Sequence, residues 1–482
     1  MNGTGDMRVT GVPSDVGGDR GSNAMSGIPA PSATTGTGGP HAPERTSATS
    51  STRLGVVDEI FLRGHRGLGT PNVLQGLWRT ADRVDPDLLR RLHAALRTGD
   101  LGRRVIRSRV PGARPAWRPN QRAHPLVLAS APLTAAQALT WADGQGEGLD
   151  PEFGPGWRLS ATPLDDGGTI IALTCSHVLA DARGLVLAAS LALARLEADG
   201  PNTPGGRPST PAGIESEWRD AARQWSIVVG GTLRAVRGLG AHPVRAVRDA
   251  APNRDGHAHA ADDPLPVHSV AAQCDAATWD RVATERDGTA NSLFIQLVAE
   301  TLRTAGAARD FAWAGIEASL PVDTRDEPRV ANDIAVTSVV VEPTDTPATL
   351  RAKARAAYEH RMTGPAGVPE EILQVVGDRL AHRMAAGAGE RDILCSNIGD
   401  LPEQLNSFGP HRCLGVAARA IHPGLTVRTR PRTRLSGYLC RIGADYTLCL
   451  VALDPPGVDS PDALAAAATR VASDLGLSLS FW

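Results

Sequence analysis

The chain has 482 residues, 41% of them apolar, which is enough for two or three domains with a sizeable core. Its formal net charge is −2 and no basic block stands out, so an electrostatic nucleic-acid footprint is not indicated. Lys353 is the only lysine among the basic residues, and the abundance of Ala, Gly and Arg reads as coding bias rather than as phosphate clamps. The six cysteines (Cys175, Cys274, Cys395, Cys413, Cys440, Cys449) are scattered without C-x-x-C spacing and read as buried free thiols. There is no charged-then-apolar leader and no apolar run near the ~18 residues of a membrane span, so a soluble, cytoplasmic protein without a span is expected.

In chain order, residues 1–52 are rich in Gly, Pro, Ser and Thr and read as a disordered tail. LGVVDEIFL then reads as a short strand or turn, and NVLQGLWRT as a strand. DPDLLRRLHAALRTGD is a helix capped by Asp85, and RRVIRSRV (103–110) alternates like a strand with one wet face. PGWRLSATPL leads into a hairpin at 165–168, followed by a near-continuous apolar strand over 169–175 and a helix over 185–198. Residues 201–265 hold two low-order stretches around a helical connector, IESEWRDAARQWSIVVGGTLRAVRGLG.

From 266 the grammar repeats. PVHSVAAQC is a strand, DAATWDRVATERDG a helix opened by Asp275 and closed by Gly288, and TANSLFIQLVAETLRTAGA a helix with a Thr cap. FAWAGIEASLPVDTR reads as a strand ending at a proline, IAVTSVVVEP as a strand and DTPATLRAKARAAYEHRM as an amphipathic helix. DILCSNIGDLP, CLGVAARAI, TRLSGYLCRIG and DYTLCLVAL add strands to this second lobe, and the closing helix starts at Ser460 or Asp462. The expected architecture is α/β or α+β in two lobes: 53–200, then the connector, then 266–482, each a mixed sheet flanked by helices.

His177 and Asp181 stand four apart where the buried strand turns into its helix. Spacing alone leaves two readings open. Either the histidine satisfies a backbone carbonyl and the aspartate caps the helix, or the imidazole, mostly neutral at pH 7, is a general base with the aspartate as a structural brace. The pair His257–Ala258–His259 lies in a polar stretch and reads as a solvated loop rather than a metal site. No G-x-S-x-G elbow, Walker loop or H-E-x-x-H is present, so a Ser-based hydrolase has no support.

The flanks of His177 add a resemblance. CSHVLADARG resembles the HHxxxDG motif of the condensation-domain and chloramphenicol acetyltransferase-like acyltransferases, which include the polyketide-associated acyltransferases and the wax ester synthases. DPDLLRRLHAAL, TANSLFIQLVAETL, SLPVDTR followed by VANDIAVTSVVVEP, and SNIGDLP follow in the order that superfamily shows, over roughly 54–482. The resemblance implies a chloramphenicol acetyltransferase-like fold with an active-site tunnel between the lobes. It implies His177 as general base, taking the proton of a hydroxyl or amine acceptor, a small lipid or secondary metabolite. The acceptor would then attack an acyl thioester of coenzyme A or of a phosphopantetheine arm on an acyl carrier protein, with no bound cofactor and no metal.

Asp181 carries over as a structural partner of an arginine, for which Arg325 is the candidate, and Asn332 and Asn291 carry over as structural positions. Ser396 or Asn397, in an expected loop, would stabilise the oxyanion. Two departures fall inside the motif: Ser176 replaces the first histidine, and Ala182 replaces the glycine after the aspartate, which would strain the turn if that position needs a positive φ. DFAWAG, before SLPVDTR, is read as a core strand. The alternative is a catalytically silent binding or carrier-docking module. The discriminating geometry is whether His177 lines a tunnel, with Asp181 turned towards Arg325, or is sealed among apolar side chains.

Overall fold

A computed structural model describes residues 52–198, 216–238, 262–309, 311–359, 370–385 and 390–482. The expected tail at 1–51, most of the two low-order stretches and the His257–His259 pair lie outside the described residues.

Two sheets dominate. In the first, the strands Val73–Thr80 and Thr169–Ser176 run antiparallel at the centre, Val73 opposite Ser176 and Thr80 opposite Thr169. Trp157–Pro163 pairs on the far side of Thr169–Ser176, through the expected hairpin. Gly167, at φ +92°, supplies the left-handed residue this turn needs. Every residue of Thr169–Ser176 is buried, as an uninterrupted apolar run requires when both faces of the sheet are covered. One cover is the helix Pro86–Thr98, whose Leu88, Leu89, Leu92 and Leu96 are buried and whose cap, Asp85, accepts the Asp87 N–H at 2.9 Å. The helix Ala182–Ala198 packs against it.

The second sheet orders its strands Ser480–Phe481, Val267–Asp275, Asp445–Leu453, Leu435–Ile442, Ile393–Asp400, Ile316–Asp323 and Ile334–Val341. The helices Ala290–Ala307 and Pro461–Leu475 pack together over it and build a second hydrophobic cluster around Phe294, Trp279 and Leu464. Thr289 and Ser460 cap these helices, accepting from Ser292 N–H and Ala463 N–H. The molecule is therefore a mixed α/β fold of two lobes, each a sheet flanked by helices.

Several expectations need correction. LGVVDEIFL belongs to a helix, Val56–His65, whose first turn is held by the Asp58 carboxylate accepting the Gly55 N–H at 2.8 Å. The 103–110 strand stops at Ile106, and DFAWAG forms no strand: 311–315 is irregular and Phe311 is exposed. The strand Ile316–Asp323 runs through Pro321 rather than ending there. The helix Ala276–Glu285 does close at Gly288, whose N–H donates to Ala283 O at 2.9 Å past Asp287 at φ 54°. Finally, His411–Ile421, expected in the second lobe, pairs with Val73–Thr80 and so completes the first sheet. Its buried Arg419 is met there: Nε and Nη2 donate to Gln75 Oε1 at 3.0 and 2.8 Å, and Nη2 also reaches Leu139 O at 3.0 Å and Asp143 Oδ1 at 2.7 Å.

Candidate active site

The strand Thr169–Ser176 ends where its neighbours stop pairing with it. Ser176 N–H donates to Gly156 O at 2.8 Å and His177 N–H to Asn72 O at 3.0 Å, so the backbone on which His177 stands is tied to both flanking segments. A short turn follows, closed by Leu179 N–H to Ser176 O, and Asp181 opens the helix Ala182–Ala198 by accepting the Gly184 N–H at 2.8 Å.

Asp181 is buried and has further partners. Arg325 Nη2 donates to its Oδ1 at 2.5 Å and Asp333 N–H donates to Oδ2 at 2.9 Å. The Arg325 guanidinium also donates to Arg329 O, Ala331 O and Asp323 Oδ1. A buried carboxylate is tolerated when its lone pairs are met in this way, and a planar guanidinium suits it. Asp181 is thus both helix cap and ion-pair partner. Ala182 is the first residue of the helix and is not among the residues with positive φ, so the glycine's absence strains nothing. The glycine this junction needs is Gly184, where an added Cβ would lie 3.0 Å from Ala331 O.

Asn332 joins the pieces. Its Nδ2 faces three acceptors, Asp58 Oδ1 at 2.7 Å, His177 O at 2.8 Å and Val178 O at 3.1 Å, which assigns the amide's orientation. Its Oδ1 therefore faces His177 Nδ1, 3.1 Å away. An amide oxygen only accepts, so Nδ1 carries the proton and Nε2 keeps a free lone pair. Burial pushes the His177 pKa below the ordinary 6.5, opposed by its own carbonyl, by Asp181 and by Asn332. His422 is pushed to about 4 by burial and by a charge on His177. Near neutral pH both rings are uncharged.

The helix Val56–His65 supplies what sequence reasoning missed. Phe61 stacks on His177 with ring centroids 3.7 Å apart and planes 17° apart, and His65 Nε2 lies 2.7 Å from Ser176 Oγ. Its Asp58 holds Asn332, and burial raises the Asp58 pKa from 3.8 to about 6. The missed signal was the i, i+3, i+7 spacing of Asp58, Phe61 and His65, with acids in the first turn and Arg63 and His65 in the last. His177 keeps 9% exposure: Phe61 covers one face of the ring and Asn332 meets its edge at Nδ1.

Ser396 belongs to the second sheet. It lies within the strand Ile393–Asp400, opposite Tyr438, rather than in a loop, and among the described residues its hydroxyl makes no hydrogen bond. The turn character of Ser-Asn-x-Gly survives only as a register shift between Asn397 and Gly399, the latter at φ +79°. Asn397 donates to Asn291 Oδ1 at 3.1 Å, and Asn291 donates to Tyr358 Oη.

The two-lobed arrangement matches the fold of solved condensation domains. The first condensation domain of the CDA synthetase superposes with a TM-score of 0.55 at 15% identity, covering 89% of this chain and 96% of that one. The condensation domain of the Monacolin K polyketide synthase MokA gives 0.54 at 15% identity, covering 88% and 96%. Polyketide synthase associated protein 5 from Mycobacterium tuberculosis gives 0.52 at 14% identity, covering 88% and 98%. The likeness is one of fold, over nearly the full length of each neighbour. No protein-family model and no curated protein matches the chain.

Proposed function

We propose that the protein is an acyltransferase, moving an acyl group from a coenzyme A or carrier-protein thioester to a hydroxyl or amine of a small lipid or secondary metabolite. The observation that carries this reading is the Asn332 amide on His177 Nδ1, which leaves Nε2 as the base. In the proposed reaction Nε2 takes the acceptor's proton as its oxygen or nitrogen attacks the thioester carbonyl. The tetrahedral intermediate then collapses with loss of the thiolate, which recovers the proton from the imidazolium. The role of Asp181 and Arg325 is to hold the turn beneath the ring. Ser396 is retained as an oxyanion donor because its hydroxyl is uncommitted, and the two lobes are taken to meet at His177.

The burial of His177, only 9% exposed with Phe61 stacked on its face, favours a second reading, a catalytically silent binding or carrier-docking module, since little of the ring is open to a substrate. The two readings separate in one experiment. The purified chain and its His177→Ala variant are incubated with acyl-CoAs and acyl carrier proteins plus panels of alcohols and amines, and thiol release is followed. The acyltransferase reading expects release that depends on acceptor and falls by roughly a hundredfold or more in the variant. Its pH profile should keep its acid limb below the ordinary imidazole value, because burial holds His177 neutral. Equal turnover by both proteins refutes the base, and binding of donor without turnover selects the silent module.

A further inference from the structure

The helix Glu217–Gly238 joins the two halves of the chain and is fixed in one rotation about its axis. Asp220, Ala221, Gln224 and Val228 form its buried face, at helical spacing. The Asp220 carboxylate, fully buried, receives the Arg114 backbone N–H at 2.8 Å and its Nη2 at 2.7 Å, with Arg53 Nε 3.7 Å away. This anchor decides what the helix turns outward. Trp218 is 72% exposed and Val229 52%; Trp225, 45% exposed, rests its indole Nε1 edge against Gly112 and leaves the rest of the ring in solvent, and their i, i+7, i+11 spacing places the three on one stripe. Arg219 and Arg223 stand exposed beside the stripe.

Single exposed apolar side chains are ordinary, but this group is not. The chain has nine tryptophans, and among the described residues the exposed ones are these two. The helix carries four arginines, Arg219, Arg223, Arg234 and Arg237, against two acids, Glu217 and Asp220, the latter already committed to Arg114 and Arg53, in a chain whose net charge is −2. Spread over that length the arginines make no dense block; only the helix reveals that the first two flank an indole stripe. Indoles favour the boundary between lipid headgroups and acyl chains, and guanidinium groups favour anionic phosphates. A second copy of the chain would bring like charge against like charge at a two-fold contact.

We infer that the exposed face of the helix Glu217–Gly238 docks the protein on an anionic lipid surface, with Trp218, Trp225 and Val229 inserted and Arg219 and Arg223 on the headgroups. Among the described residues no helix is long and apolar enough to cross a membrane, so the attachment is peripheral. The placement also bears on the proposed reaction, although docking does not depend on it. The helix packs on Ile372–Val375, whose Leu373 O accepts from Arg63 and whose Gln374 donates to Glu59 Oε1. Both partners lie on the helix that carries Phe61, so a lipid-borne substrate would arrive on the side of the ring that covers His177.

The test is sedimentation of the full chain with vesicles of phosphatidylcholine, with and without phosphatidylglycerol, at low and high salt. Tryptophan emission and sedimentation velocity are read on the same samples. The wild type should pellet with the anionic vesicles and be released by high salt, with a blue shift on binding. Trp218→Ser/Trp225→Ser and Arg219→Glu/Arg223→Glu should each weaken partitioning by about tenfold or more while keeping the wild-type circular dichroism. His177→Ala should partition like the wild type, so a failure of the catalytic reading and a failure of docking are told apart. Absence of wild-type binding, indifference to anionic lipid, or an unchanged Trp218→Ser/Trp225→Ser variant overturns the inference. So does a wild-type dimer, dissociated by the tryptophan changes, that ignores vesicles, since the stripe would then belong to a second copy.

Discussion

At the scale of single residues, the junction turns on which group meets which. Ala182 departs from the motif but stands in right-handed helix, so Ala182→Gly should relieve nothing. It should lower stability by about 0.5–1 kcal/mol through the added backbone entropy of glycine, read from the urea midpoint. A stabilised variant would show that the position needs left-handed backbone after all. Gly184 is the opposite case, a helical glycine kept small by Ala331 across the lobes' connection. Asp181 could be picked out from the sequence as a brace because an aspartate before a helix has a cap to make. Its arginine stands 144 residues away, and only the resemblance to a known family supplied it.

At the scale of elements, the helix Val56–His65 lays Phe61 on the imidazole of His177. It docks with two buried acids: burial raises Asp58 from 3.8 to about 6 and Glu59 from 4.5 to about 7. The folded state therefore binds these protons more tightly than the unfolded chain does. Their contribution to stability is whole below the unfolded values and is lost as pH rises through about 6 and 7. Asp58→Asn removes one of these titrations, so its stability relative to wild type should climb by about 2–3 kcal/mol between pH 4 and 7, measured by urea unfolding across that range. A constant difference would place the Asp58 carboxylate in solvent. The sequence did not disclose this helix because VVDEIFL is short and partly β-branched, and its docking partners, Asn332 and Gln374, come from remote segments. The helices Pro86–Thr98 and Ala290–Ala307 were legible down to their caps, and Pro461–Leu475 down to a choice between Ser460 and Asp462, since periodicity and capping are local chemistry.

At the scale of the whole molecule, the six cysteines report on both lobes at once. All are free and buried, and burial holds Cys175, Cys413 and Cys449 up to about 12 and Cys274 at about 11. In native buffer an aromatic disulfide reagent should find almost no reactive thiol, and all six should titrate in denaturant. Rapid labelling of the native chain would mean that a lobe opens on its own. The same silence gives the thiol-release assay a clean baseline.

Local sequence determined the strand that presents His177, the helix that follows it, the caps and the order of elements, because hydrophobic period and cap chemistry act within a few residues. Tertiary structure alone decided that His411–Ile421 crosses to the first sheet and that Phe61 stacks on the imidazole. It alone set Asn332 to hold the proton on Nδ1. Each of these depends on which distant segment satisfies a buried polar group or fills a face, a choice fixed by packing in three dimensions and not by any pattern along the chain.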